Sequence, residues 1–322
     1  MTWLAWRQAR AQTLIALSAV LVVAIVAFAD SRTSTMLRMW LSVLVIVVPG
    51  LLGAFWGAPL VAAELESGSF RLAWTQDVSR VRWLTRRLAV SGLAAMTLAG
   101  LLSWLVTWWA GPQDQAGLDQ FGSFDARGIV PVGYAAFAFA LGVLLGTVLR
   151  RTVGAMAAAL LLFTAARLAF RLLVRPVLLP PVTRALALNP STTGYGASGF
   201  LPFVPPSSLQ PAAPDLPNAW VTSIAIVNGK GDALASSVLT RTCPDIGHGG
   251  GGASGRVHVQ APQSVVNATH ECVARIATAY HEVITYQPAG RYWPLQWFEL
   301  GVFLAAALIL VAACAWRVRR IG

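Results

Sequence analysis

The chain has 322 residues, of which 56% are hydrophobic and only 11% charged. A soluble domain carries about a quarter charged residues, so this composition excludes a soluble globule and calls for lipid as the solvent of its apolar surface. The formal net charge of +11 does not gather into one patch but punctuates the ends of apolar runs, which argues against nucleic acid as a partner.

Residues 1-11 place Trp3 and Trp6 beside Arg7 and Arg10, the pattern of a cytoplasmic interfacial elbow helix. Ala27-Phe28-Ala29 before Asp30 is also compatible with a cleaved signal peptide, although the apolar run is longer than such a peptide needs. Six runs approach the roughly 20 residues that cross a bilayer. They lie near Thr13 to Ala29, Trp40 to Ala62, Leu88 to Trp109, Ile129 to Leu149, Val153 to Val174 and Trp297 to Trp316. The expected fold class is therefore an all-α polytopic membrane protein with six transmembrane helices. Residues 12-174 hold helices 1-5, and 295-322 hold helix 6 and a cytoplasmic tail.

Arginine placement orients these spans. Arg7 and Arg10, the 63-87 loop with Arg71, Arg80, Arg82, Arg86 and Arg87, the pair Arg150 and Arg151, and Arg317, Arg319 and Arg320 all fall on one side if both termini are cytoplasmic. Nearly all the cations are Arg, with Lys230 the only Lys, which hints at a GC-rich bacterial genome and hence a bacterial plasma membrane. Residues 175-294 are then extracytoplasmic, a small α/β cap between helices 5 and 6. Pro176 to Pro217 reads as extended chain, Trp220 to Val227 as a strand, and Gln263 to Tyr286 as a helix with Val266, Val273, Ile276 and Val283 on its apolar face. Cys243 and Cys272 lie in this segment and are expected to form a disulfide, free thiols being the alternative. Cys314 falls in the last span as a packing residue.

Catalytic signatures are missing. No Gly-x-x-x-x-Gly-Lys-Ser/Thr loop occurs, and Gly252-Ala253-Ser254-Gly255 fails as a nucleophile elbow because Arg256 follows. No Cys or His spacing argues for zinc; His270 and His281 would share a face of the expected helix. The carboxylates avoid the apolar runs, Glu299 being nearest, whereas ion-coupled carriers commonly place acids at mid-membrane. This favours an energy source outside the chain. Within the Arg-rich loop, Glu64, Glu66, Gly68, Phe70, Arg71, Trp74 and Arg80 suit docking into a partner's groove or, equally simply, a helix lying on the membrane. In the second run Pro49, Gly50, Gly53 and Gly57 permit bending or close helix approach. Arg167, Arg171 and Arg175 recur every fourth residue on the fifth, and either snorkel to headgroups or line an anion-attracting translocation path.

The stretch Gly57-Ala58-Pro59-Leu60-Val61-Ala62-Ala63-Glu64-Leu65-Glu66-Ser67-Gly68-Ser69-Phe70-Arg71-Leu72-Ala73-Trp74-Thr75-Gln76, with Ser79-Arg80 and Arg82-Trp83-Leu84, resembles permease subunits of type-2 ABC exporters, and most closely their actinobacterial group. Gly128-Ile129-Val130-Pro131-Val132-Gly133-Tyr134-Ala135-Ala136-Phe137-Ala138 and Tyr286-Gln287-Pro288 before Arg291-Tyr292-Trp293 are similar as well. The resemblance implies a coupling helix after the second span that contacts a separate ATP-binding subunit, in two copies, and a permease that pairs with another, expected to be itself. It implies no catalysis by this chain and no cofactor bound by it, with ATP and Mg held by the partner subunit, and export of an amphiphilic small molecule, lipid or peptide. A membrane sensor or assembly protein with a ligand-binding cap, and a secondary carrier, are the other readings.

Overall fold

The computed structural model describes residues 35–67, 80–115, 120–188, 216–243 and 263–320. The expected elbow helix and first span fall outside these residues. The chain divides into two compact units, one formed by Met1–Leu179 with Gly290–Gly322, the other by Pro180–Ala289.

The first unit is a helical bundle. Helix α1 (Thr35–Leu52) passes through a π-helical turn, Gly53–Gly57, into α2 (Ala58–Ser67). Helix α3 spans Arg80–Gln115, a 3-10 turn Phe124–Ala126 follows, and α4 covers Val130–Leu149. Helix α5 (Thr152–Ala169) runs through a second π turn, Phe170–Val174, into α6 (Arg175–Leu178). The chain returns to this unit with a 3-10 turn, Ala289–Arg291, and a long final helix, Tyr292–Arg320. Five of these segments are long and apolar enough to cross a membrane: Met39–Glu66, Leu88–Pro112, Val130–Leu149, Thr152–Leu178 and Ala289–Arg320.

The most buried span is α4. Its small residues let backbones meet. A Cβ on Gly53 would collide with the Ala138 carbonyl, one on Gly142 with the Gly53 carbonyl, and one on Gly146 would lie 2.6 Å from the Ala58 carbonyl oxygen. Bending and close approach in the second run are therefore one device: the π turn bulges the α1–α2 backbone where it seats against α4. Around this contact, Leu52, Val61, Leu88, Leu98, Phe139, Val143, Cys314 and Val318 form a common buried cluster.

The second unit is a three-stranded antiparallel sheet in the order β1 (Val182–Ala187), β3 (Tyr280–Gln287), β2 (Trp220–Asn228), accompanied by helices α7 (Ser236–Thr242) and α8 (Gln263–Ile276); the final helix of the first unit is α9. Leu188, Ile226, Leu239, Val273 and Ile276 pack with the Cys243–Cys272 disulfide as its core. Closing a loop of 29 residues stabilises such a unit by about 3 kcal/mol. The expected helix over Gln263 to Tyr286 is corrected here. It ends at Ile276, and Val283 belongs to the central strand. Val283, Ile284 and Thr285 are β-branched and flanked by Tyr280 and Tyr286, which suits a pleated strand better than a helix. His270 and His281 consequently sit on different elements. Of the Pro176 to Pro217 chain, Val182–Ala187 is a strand, and residues 189–215 fall outside the described residues.

The Gly142 contact makes a test. Gly142→Leu should lower the melting temperature sharply or abolish a monodisperse detergent-solubilised species, overpacking of this kind amounting to about 1–3 kcal/mol or more. Gly154→Ala, whose added Cβ would meet only the Arg151 side chain at 3.9 Å, should leave the scanning fluorimetry trace unchanged.

Candidate functional site

The polar interior of the bundle gathers around one connection, residues 120–130 between α3 and α4. Side chains of α3, α6 and α9 hold it. From α3, Ser103 Oγ donates to the Gly128 carbonyl at 2.7 Å, and Thr107 Oγ1 accepts from the Gly128 N–H at 3.1 Å. Arg127 reaches back to form a two-pronged pair with Asp114, Nη1 lying 3.0 Å from Oδ1. From α9, the fully buried Gln296 accepts with Oε1 from the Ile129 and Val130 N–H groups, both at 3.1 Å. Its Nε2 donates to the carbonyls of Phe124 and Arg127. Buried backbone groups need partners in lipid even more than in water, and Gln296 supplies four of them. Gly128 is required on two counts: its φ is +70°, and a Cβ there would lie 2.8 Å from Gln296 Oε1.

This pinned turn presents Asp125 to a cluster of charges. Arg175, at the start of α6, donates through Nε and Nη2 to Glu299 Oε2 at 3.2 and 3.0 Å, and through Nη2 to Asp125. The Tyr134 hydroxyl stands between the two carboxylates, its one proton shared between Glu299 Oε1, the nearer acceptor, and Asp125 Oδ1 at 3.2 Å. Arg175 and Glu299 are 6% and 2% exposed. The second Asp125 oxygen faces Arg171 Nη1 at 3.3 Å and Arg167 Nη2 at 3.9 Å. Arg167 also donates to the Ile46 carbonyl of α1 at 2.7 Å and stacks 4.4 Å from the Tyr134 ring centroid. Arg175 lies 4.5 Å over the Phe124 ring. Burial acts to raise the Asp125 pKa, but the guanidinium groups of Arg175 and Arg167 outweigh it and hold the carboxyl below its ordinary value.

Of the residues singled out in sequence, Arg167 and Arg171 thus belong to one cluster but play different parts. Arg167 is only 12% exposed and engaged on three sides, while Arg171 is 60% exposed. The snorkelling account fails for Arg167 and Arg175, which turn inward to carboxylates. Sequence reading missed Asp125, Tyr134, Gln296 and Glu299. Asp125 lies in a connection with no motif of its own, and Glu299 stood out in sequence only as the acid nearest an apolar run.

At the opposite end of the bundle, Glu66 Oε2 accepts from the Thr152 N–H at 2.9 Å and from its hydroxyl at 2.7 Å. Glu66 therefore caps the first turn of α5, satisfying an otherwise orphaned amide. Glu64 is half-buried on α2. Gly68, Phe70, Arg71 and Trp74 lie outside the described residues; Arg80 opens α3, its side chain likewise outside the description. In the second unit Glu282 on β3 is buried with Oε1 unpartnered, and burial pushes its carboxyl up.

Residues 23–175 match the family model described as ABC-2 membrane transporter related. The match takes in α1 to α5 and reaches Asp125, Tyr134, Arg167, Arg171 and Arg175, but stops short of Gln296 and Glu299. With the apolar helices it supports a membrane protein, and specifically an ABC transporter membrane subunit of the ABC-2 permease type. No curated protein and no solved structure matches the chain significantly.

Two tests follow from these geometries. Arg175→Met strands Glu299 in the bundle and should destabilise it by about 3–5 kcal/mol. The double variant Arg175→Met with Glu299→Gln should recover a substantial part of that loss in thermal unfolding, whereas additive losses would contradict the pairing. For Glu282, a raised folded-state value means that its contribution is complete below the ordinary glutamate pKa and is lost as pH rises through the raised one. Glu282→Gln should therefore strengthen the second unit at pH 7 by about 1 kcal/mol and flatten its pH dependence, read from protection of the β3 amides against hydrogen exchange after correction for intrinsic rates.

Proposed function

We propose that this chain is the permease of an ATP-binding-cassette exporter, carrying an amphiphilic small molecule, lipid or peptide across the bacterial plasma membrane with both termini cytoplasmic. A separate ATP-binding subunit, in two copies, holds ATP and Mg and grips the loop 63-87 of each permease in a homodimer. The permease contributes no covalent chemistry; it supplies contacts that differ between the nucleotide states of its partner. The capping domain, residues 175-294, faces outward in this reading.

The observation that carries the proposal is that α5 is tied at both ends. Glu66, at the threshold of the Arg-rich loop, caps its first turn through Thr152. Arg167, Arg171 and Arg175 anchor its far end to Asp125, and Arg175 also to Glu299. A pull on the loop is passed by α5 to the polar cluster at the other end of the bundle. The π turns in the second and fifth spans supply the local slack that such movement needs.

Purification of the full chain in mild detergent should bring down a nucleotide-binding protein, and Trp74→Ala or Glu64→Ala should weaken that association. Glu66→Gln should leave the association intact yet lower transport-coupled ATP hydrolysis several-fold. Transport driven by an ion gradient with no ATPase captured would remove the reading.

A further inference from the structure

The polar cluster is not neutral. Among the described residues it sets three guanidinium groups, Arg167, Arg171 and Arg175, against two carboxylates, Asp125 and Glu299. Both carboxylates are fully engaged, Glu299 by Arg175 and Tyr134, Asp125 by all three arginines and Tyr134. Arg175 is buried and Arg167 mostly covered, and both are surrounded by acceptors and rings. The unbalanced positive charge therefore expresses itself at Arg171, which spends one Nη1 contact on Asp125 at 3.3 Å and exposes most of its side chain.

That side chain emerges in an unusual setting. Leu168, about one turn before it, and the adjacent Leu172 are 51% and 66% exposed, so a cation stands beside exposed apolar side chains close to the end of the fifth span. The leucines want acyl chains. The guanidinium wants an anion, and in a low-dielectric surrounding it wants one more strongly than it would in water. Arginine's planar fork fits a phosphate with two parallel hydrogen bonds. One ligand satisfies both demands.

We infer that Arg171 and the leucines beside it form a binding site for an anionic phospholipid, its phosphate on the guanidinium and its chains along Leu168 and Leu172. The inference does not depend on the exporter reading. The buried cluster acts as its base, since Asp125 holds Arg171 at the rim while the other two arginines keep Asp125 from neutralising it fully.

The test is native mass spectrometry of the full chain released from micelles containing equal phosphatidylglycerol and phosphatidylcholine. The wild-type chain should retain phosphatidylglycerol with about fivefold preference, the value of one arginine at a lipid surface. Arg171→Gln should bring the preference to about one, and Arg171→Lys should keep part of it. Should Arg171→Gln prove unstable, Leu168→Glu leaves Arg171 in place but sets a competing carboxylate one turn away, and should likewise abolish the preference. Equal retention by the wild-type chain, or undiminished preference in Arg171→Gln and Leu168→Glu, would overturn the inference. So would soluble glycerophosphoglycerol displacing the lipid at equal concentration, or Leu172→Cys cross-linking two copies through this face.

Discussion

Arginine inside a helical bundle is the constraint around which this molecule is arranged. A guanidinium removed from water must find carboxylates, carbonyls or ring faces at once, because nothing else in the membrane will solvate it. Arg175 finds Glu299, Asp125 and the face of Phe124, and Arg167 finds the Ile46 carbonyl and the Tyr134 ring. These contacts draw together four segments that are remote in sequence. The turn bearing Asp125 must then be rigid, and Gln296, Ser103, Thr107 and Gly128 make it so by satisfying its backbone groups individually. Removing a single member leaves a buried group unpartnered, so the cluster holds as a unit.

The rest of the bundle is assembled by a different rule. Lipid is as apolar as leucine, so helix association there depends on close backbone contact more than on hydrophobic burial. Gly53, Gly57, Gly142 and Gly146 provide that contact along α4, while the outward faces of α5 and α9 carry exposed leucines and isoleucines. One end of the bundle is thus fixed by charge and its middle by the lack of side chains. At the other end, Glu66 meets Thr152 at the surface beside the packed Ala58, Ala62 and Ala155.

Much of the fold was legible because apolar runs and strand alternation are local signals. The described spans fall on the runs read in sequence, with ends extended by polar residues such as Arg80 to Arg87 and Tyr292 to Gln296 that continue a helix beyond the lipid. The disulfide was legible from the placing of Cys243 and Cys272 in one segment. The helix-to-strand change after Ile276 was obscured because Val273, Ile276 and Val283 satisfy a helical spacing by coincidence. The polar cluster was illegible for a different reason. Asp125 and Glu299 are 174 positions apart by subtraction of their numbers, and only the packing of α4 against α9 makes them neighbours. Arg167, Arg171 and Arg175 gave the strongest hint, a cationic row with no counter-charge nearby in sequence.

The π turn at Phe170–Val174 sits between Arg167 and Arg175. Relative to a regular helix, it sets the angular phase of everything that follows. Regular α winding through the same five residues would swing Arg175 by about 90°, away from Glu299.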